Sequence, residues 1–182
     1  MDTALVVIDV QESFRQQSSW SDISAPDIVA RVKRLVEAAR AREELVVWVL
    51  HASPGTGGPF DPDNGLVGLQ PGLTPRSEDI TVTKTSHNAF TTTNLAQHLT
   101  AGGVRRLRLA GIRTEQCVET TARVACDLGH DVEVVIDITA THPLPLPDGS
   151  GVLDAEEVIA RTAAALSGRF ATIVSVDEVV GV

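Results

Sequence analysis

The chain has 182 residues, a length typical of one domain and sufficient to bury a single sizeable core. Hydrophobic residues make up 43% of it and charged residues 21%, which is ordinary globular usage and excludes a disordered or fibrous class. The formal net charge of -9 disfavours nucleic acids and anionic membrane surfaces as partners, because both are bound through clustered Lys and Arg. We therefore expect one folded domain over residues 1–182 with neither kind of partner.

Six short apolar runs rich in Val, Ile and Leu recur along the chain, and none alternates with polar residues as a half-exposed strand would. They lie at residues 4–8, 45–50, 80–83, 107–110, 132–136 and 172–176. Apolar residues repeat at helical spacing in three of the intervening segments, at 28–39, 118–125 and 156–166. Strands that alternate with helices predict an α/β fold with a parallel sheet, buried on both faces and joined by right-handed crossovers.

Two features of the chain bear on its environment. The first apolar run is too short to cross a membrane and follows no cationic segment, so we expect neither a signal peptide nor a membrane span. Cys117 and Cys126 lie nine positions apart on one predicted helix, about 13 Å from each other and on opposite faces, which excludes a disulfide between them. Together these features predict a cytoplasmic protein with reduced thiols.

The segment 52–79 interrupts this alternation, since it holds six Gly and five Pro and no sustained apolar period. We expect it to be a long excursion over the surface that covers a site or a subunit contact. A second Pro-rich stretch, 143–151, precedes the last predicted helix.

Polar residues stand at the carboxyl ends of four predicted strands, where ligands of open parallel sheets bind. Asp9, His51 and Lys84 follow the first three strands, and the fourth leads into Cys117. A carboxylate, an ammonium and a thiol at one edge are the groups needed to generate a thiolate and to move its proton.

If a helix starts near Thr114 as its N-cap, Cys117 lies in the first turn, where free backbone N–H groups favour a thiolate and lower its pKa. The same N–H groups would stabilise an oxyanion. A buried cysteine is more often a small apolar filler, and Cys126, deeper in the helix, fits that description.

Three motifs in order resemble those of the isochorismatase-like cysteine hydrolases, which include nicotinamidases, N-carbamoylsarcosine amidases and isochorismatases. They are Val7-Ile-Asp-Val-Gln11 with Phe14, Lys84-Thr-Ser-His-Asn-Ala-Phe90, and Gly111-Ile-Arg-Thr-Glu-Gln-Cys-Val118. The resemblance covers nearly the whole chain.

The resemblance implies a three-layer sandwich around a six-stranded parallel sheet in the order 3-2-1-4-5-6. It assigns Asp9 as general base and acid, Lys84 as the residue that stabilises charge, and Cys117 as the nucleophile that forms a thioester. It also implies a cis peptide at Ile112–Arg113, an oxyanion hole made by the N–H groups of Arg113 and Cys117, and a homodimer or homotetramer. The reaction it implies is hydrolysis of a small amide-type C–N bond.

Some positions depart from the family pattern. Nicotinamidases hold a metal through an Asp-x-His pair, but Val49 stands where that aspartate would be, so we expect no metal. No glycine-rich phosphate loop follows a strand, so we expect no nucleotide cofactor either. The residues that we expect to contact a small-molecule substrate are Phe14, His51, His87 and Phe90.

Two other functions stay open at this point. Some relatives cleave the vinyl ether of isochorismate with the acid as proton donor, which would give Asp9 that role and leave Cys117 unused. A non-catalytic relative would instead bind a metabolite in the same pocket.

Overall fold

The structure is a computed structural model and describes residues 2–181. Six strands form one parallel sheet in the order β3-β2-β1-β4-β5-β8, and two short strands, β6 and β7, pair separately as an antiparallel hairpin. The strands are β1 Thr3–Ile8, β2 Leu45–His51, β3 Ile80–Lys84, β4 Arg106–Ile112, β5 Asp131–Ala140, β6 Leu144–Pro145, β7 Val152–Leu153 and β8 Thr172–Val174. The predicted sheet and its order are confirmed, with β8 in the place of the sixth strand because the hairpin precedes it.

Six α-helices cover the two faces of the sheet. They are α1 Glu12–Arg15, α2 Ile28–Ala41, α3 Leu95–Ala101, α4 Glu119–Asp127, α5 Ala155–Leu166 and α6 Val176–Val180. Helices α2 and α6 pack into the core on one face, and α3, α4 and α5 pack into the core on the other. The predicted three-layer sandwich is therefore confirmed.

β1 shows why the apolar runs form the centre of this sheet. All six of its residues are buried, and its side chains alternate between the two cores: Val6 and Ile8 belong to one, Leu5 and Val7 to the other. Because successive side chains of a strand point to opposite faces, a continuous apolar run fits a strand that is covered on both sides. β1 pairs with β2 on one side and with β4 on the other.

The prediction of burial on both faces is wrong for β3. Its residues Thr81 and Thr83 are exposed while Val82 and Lys84 are buried. β3 is the edge strand of the sheet, and its buried apolar residue joins only the core that holds α3. One face of this strand is therefore open to solvent.

Three helices, α1, α3 and α6, have no counterpart among the predicted segments. α1 is a single turn of four residues. The last apolar run ends as a strand at Val174, and α6 follows at once. Ser175 caps α6: its hydroxyl accepts from the N–H of Glu178, whose carboxylate accepts from the N–H of Ser175. Ser-x-x-Glu is a recognised helix start, so this signal was present in the sequence. The short α3 has only Leu95 and Leu99 as buried apolar positions, too few to show a period.

The segment 52–79 contains no strand or α-helix, as expected, and it lies against the chain that follows β1. The N–H of Glu12 donates to Gly68 O at 2.8 Å, and the hydroxyl of Ser13 donates to Leu66 O at 2.9 Å. Within residues 2–181, no helix has the length and apolar character needed to cross a membrane.

Candidate active site

The ends of β1 and β4 approach each other unusually closely, and this contact places the candidate catalytic residues. Ile8 and Gly111 are partners in the parallel register. Gly111 has φ +127°, and a Cβ added there would overlap the carbonyl oxygen of Ile8. Only glycine meets both requirements. Asp9 and the turn after β4 are thereby brought side by side.

Asp9 is fully buried and its backbone has φ 54°, a left-handed conformation that is sparsely populated by residues other than glycine. Its N–H donates to Val49 O at 2.8 Å, and its carbonyl accepts from the N–H of Gln11 at 2.9 Å. These bonds hold the turn that directs the carboxylate across the strand ends.

Lys84 lies at the centre of the site. Its side chain is 0% exposed, and its Nζ lies 2.8 Å from Asp9 Oδ2, 3.2 Å from His51 Nδ1 and 3.3 Å from Cys117 Sγ. The acid, the ammonium and the thiol that the sequence placed at strand ends are thus in direct contact. A buried ion pair of this kind is tolerated only when its remaining hydrogen-bonding capacity is largely satisfied.

Cys117 does not lie in the first turn of a regular α-helix as predicted. It lies in a π-helical turn, Thr114–Val118, which precedes α4 and is itself a form of helix common at functional sites. Thr114 is not the N-cap, since its hydroxyl donates to Thr139 Oγ1 at 2.9 Å and Arg113 takes the cap position.

The predicted lowering of the thiol pKa is also wrong. Cys117 is 7% exposed, and burial together with the Asp9 carboxylate raises the pKa of its thiol to about 12. Both effects disfavour a second negative charge in the site. At neutral pH the isolated thiol therefore keeps its proton until a base removes it.

Asp9 is equipped to be that base. Burial raises the pKa of its carboxyl above the usual range, although the Lys84 ammonium acts in the opposite direction. Its Oδ1 is buried and has no hydrogen-bond partner within residues 2–181, whereas Oδ2 accepts from Lys84. One carboxylate oxygen thus keeps its full capacity to accept a proton.

The rest of the turn agrees with what the resemblance implied. The peptide bond Ile112–Arg113 is cis, as expected. The carbonyl of Arg113 accepts from the N–H groups of Gln116 and Val118, both at 3.2 Å, and its guanidinium lies 3.3 Å from Glu115.

Residues 3–172 match the family model described as the isochorismatase domain.

The chain belongs to the isochorismatase family. Accordingly it is a hydrolase, and the resemblance stated from its motifs is confirmed.

Three comparisons illustrate the range of isochorismatase-family relatives. The ureidoacrylate amidohydrolase RutB of Variovorax paradoxus is 30% identical over 79% of this chain and 69% of its own. An Arabidopsis thaliana protein named "Probable inactive nicotinamidase" is 32% identical over 88% of this chain and 91% of its own. The crystal structure of a hydrolase of the family from Chromobacterium violaceum superposes with a TM-score of 0.91 at 27% identity, covering 99% of this chain and 92% of that one.

The four residues expected to contact substrate fall into different places. His51 lies beside Lys84, with Nδ1 3.2 Å from Nζ, and Phe14 is linked to His51 through Phe60, which packs edge-on against both rings with centroids 4.9 and 5.6 Å away. His87 is exposed at the rim, near enough for its charge to lower the pKa of both Asp9 and His51.

Phe90 does not join this group. It is 8% exposed in the core and stacks on His130, which follows the far end of α4 from Cys117. It therefore has a packing role in the structure.

Gln11 is a site residue that was quoted within a motif but given no function. It is fully buried, and its side-chain amide pairs with both backbone groups of His51, accepting from N–H at 2.7 Å and donating to the carbonyl at 2.9 Å. This amide continues the pairing of β1 with β2 beyond the strand end and fixes the backbone of His51. A buried glutamine two residues after the catalytic acid was the available signal.

The residues present do not fit the metal site of isochorismatase-family nicotinamidases. His51 Nδ1 faces the Lys84 ammonium and its Nε2 lies 3.2 Å from Ser53 Oγ, so both ring nitrogens are already engaged. In the part of the chain from residue 2 to 181, no three His, Cys, Asp or Glu side chains cluster so as to hold a metal ion.

Proposed function

We propose that this protein hydrolyses a small amide-type C–N bond through a thioester on Cys117. The observation that carries the proposal is the position of the Lys84 ammonium, in contact with both the Asp9 carboxylate and the Cys117 sulfur. This is the arrangement of an activated nucleophile with an adjacent base. The amidohydrolase activity in the name of the RutB relative is consistent with it.

The first step is transfer of the thiol proton to the open Oδ1 of Asp9. This transfer moves the negative charge from the Asp9 oxygen to the Cys117 sulfur, so the total charge of Asp9, Lys84 and Cys117 stays the same. Burial therefore opposes the transfer far less than it opposes loss of the proton to solvent, which is the process that the thiol pKa of about 12 describes.

The thiolate then attacks the carbonyl carbon, and the resulting oxyanion is placed to accept from the N–H groups of Arg113 and Cys117. The C–N bond breaks, and the departing nitrogen takes the proton from Asp9 and leaves as ammonia or an amine. Water, deprotonated by Asp9, attacks the thioester. The C–S bond breaks, sulfur recovers the proton, and the acid product departs.

Cleavage of a vinyl ether with Asp9 as acid would not need a nucleophile beside Lys84, and a non-catalytic relative would need neither group. The contact of Cys117 with the ammonium thus favours the covalent route over both alternatives. The vinyl ether reaction predicts turnover that does not depend on the Cys117 sulfur. The non-catalytic alternative predicts no turnover.

The test is a panel of primary amides, ureido and carbamoyl compounds and isochorismate, given to the wild type, Cys117→Ala and Cys126→Ala. We expect amide-type hydrolysis in the wild type and Cys126→Ala, no measurable turnover in Cys117→Ala, and an acyl adduct on Cys117 detected by mass spectrometry after acid quench. Amide hydrolysis that survives in Cys117→Ala would overturn the covalent route, and turnover of isochorismate alone would support the vinyl ether reaction.

A further inference from the structure

His51 occupies a position in the site that its predicted contact with substrate does not explain. It is the partner of Lys84 in the register of β2 and β3, so both side chains leave neighbouring strands in the same direction. The ring nitrogen Nδ1 then lies 3.2 Å from Lys84 Nζ.

The chemistry of the ammonium determines what this contact must be. An ammonium has three protons and no lone pair, so each of its hydrogen-bond partners has to be an acceptor. Lys84 has three such partners: Asp9 Oδ2, Cys117 Sγ and His51 Nδ1. All three protons are used, and Nδ1 of His51 must be unprotonated.

The second ring nitrogen follows from the first. A neutral imidazole that accepts at Nδ1 carries its proton on Nε2, which lies 3.2 Å from Ser53 Oγ and donates to it. Burial, with the charges of Lys84 and His87, lowers the pKa of His51 to about 4, so the ring is neutral at physiological pH. The ammonium, which can only donate, therefore sets the tautomer, and the Ser53 hydroxyl accepts the remaining ring proton.

The ring is also held mechanically. The Gln11 amide fixes the His51 backbone through two hydrogen bonds, and Phe60 packs edge-on against the imidazole at 71°. Ser53 and Phe60 are bonded to each other through backbone N–H and carbonyl at 2.8 Å. Both belong to the excursion 52–79, which in this way reaches the ammonium through His51.

We propose that His51 is a positioning residue for Lys84: it accepts the third ammonium proton and, with its ring held by the Nε2 hydrogen bond to Ser53, keeps the ammonium between the Asp9 carboxylate and the Cys117 sulfur. Its effect on turnover rests on the proposed function, but its effect on the thiol does not. Without this acceptor one proton of a fully buried ammonium is unpaired, which disfavours the charged form and weakens its support of the thiolate.

The test compares variants that differ in one acceptor. Asn places an amide oxygen close to where Nδ1 lies, whereas Leu fills the space without any acceptor, so His51→Asn and His51→Leu form a matched pair. Ser53→Ala removes only the hydrogen bond at Nε2 that holds the ring, and His98→Leu, in α3 away from the site, controls for loss of a histidine. All four are made in a Cys126→Ala background, so that Cys117 is the only thiol.

The first measurement is the rate of alkylation of Cys117 by iodoacetamide between pH 6 and 9, with folding checked by circular dichroism. Because a displaced catalytic group costs one to two orders of magnitude, we expect His51→Leu to react about 10-fold to 100-fold more slowly. His51→Asn should recover most of the rate, and Ser53→Ala should lose about 2-fold to 5-fold, the value of one neutral hydrogen bond. The control should match the parent.

Equal rates for folded His51→Leu and the parent would overturn the positioning role, as would His51→Asn reacting as slowly as His51→Leu. If the substrate panel yields an amide, kcat for it should follow the alkylation rates while KM stays constant, and a selective rise in KM would return His51 to substrate contact. Alkylation needs no substrate. A failure of the proposed amide hydrolysis is therefore separable from a failure of this inference.

Discussion

Two clusters of charged side chains lie at opposite ends of the sheet's strands, one at the amino-terminal ends and one at the carboxyl-terminal ends. They differ in how fully their donor and acceptor atoms are paired. At the amino-terminal edge, the Arg108 guanidinium donates to Glu44 at 2.8 and 3.0 Å and to Glu133 at 2.9 Å, leaving no unpaired buried atom on any of the three. At the carboxyl-terminal edge, the Asp9 carboxylate pairs with Lys84 through one oxygen and keeps the other unpaired.

The difference separates a structural cluster from a reactive one. A network whose donors and acceptors are all matched stabilises one arrangement, because any displacement leaves a charge unpaired. A buried oxygen without a partner costs free energy in the resting protein. Its unused ability to accept a hydrogen bond serves the site when a proton or a substrate arrives. Removing one charge from each cluster should therefore give opposite results for stability and for activity.

The largest effect should come from Asp9→Asn. The amide cannot accept the thiol proton, so we expect kcat/KM to fall by about 10³-fold or more, as is found when one member of a catalytic set is removed. Alkylation of Cys117 at neutral pH should fall with it. Glu44→Gln is the matched change at the opposite edge and should keep kcat/KM within about twofold, since it touches no reacting group. Loss of activity in both variants to the same degree would contradict the distinction.

Arg108→Met should give the converse result. Its removal leaves Glu44 without its cation and Glu133 with only Arg106, whose Nε lies 3.5 Å from it; the Glu44 and Glu133 side chains are 10% and 21% exposed, so solvent relieves part of the cost. We expect the free energy of unfolding in urea to fall by about 2–3 kcal/mol, below the full penalty for breaking a buried pair. The rate of Cys117 alkylation in the folded variant should stay unchanged. An undiminished urea midpoint would show that the cluster contributes no stability.

A smaller effect should appear in the pH dependence of stability. The pKa of His51 is depressed from 6.5 to about 4 in the folded state, so the unfolded chain takes up a proton first as the pH falls. The stability that this residue contributes is complete above pH 6.5 and is lost on the way to pH 4. Allowing for the partial exposure of the ring, we expect a loss of about 1–2 kcal/mol over that range.

His51→Asn isolates this contribution. Asp9 has a raised pKa, which acts with the opposite sign by favouring the folded state as the pH falls, and Lys84 and His87 face the same ring. All three remain in the variant, so the difference between its urea midpoints and those of the parent reports on His51. The two curves should converge towards pH 4, and a constant separation from pH 7 to pH 4 would count against the depressed pKa.

Much of the fold and the meeting of Asp9, Lys84 and Cys117 could be predicted from sequence because each depends on a local signal. Continuous apolar runs indicated the six strands, and the parallel arrangement brings their carboxyl ends to one edge, where Asp9, Lys84 and Cys117 were expected. The exposure of one face of β3 did have a signal in the sequence, since Ile80-Thr-Val-Thr83 alternates apolar and polar residues as a half-exposed strand does, and the prediction overlooked it.

The errors within the site have a related origin. The thiol pKa of Cys117 was predicted from the helix start alone, whereas burial and the Asp9 charge, which depend on residues far apart in the chain, determine its direction. Phe90 was assigned to the site as one of the few aromatic residues near a predicted loop, although the turn after β3 carries it into the core. The link from His51 to Lys84 required the register of two strands.

The contact of Gly111 with the Ile8 carbonyl has a consequence for how such an enzyme changes its substrate. The contact of main chain with main chain sets the spacing between the end of β1, which leads to Asp9, and the end of β4, which leads to Cys117, and no loop takes part in that contact. Exposed positions within 12–24, 52–79 and 139–151 that contact neither His51 nor the turn Thr114–Val118 can then change without altering that spacing. Substrate selectivity can then change through those exposed positions while the backbone at the ends of β1 and β4 stays the same.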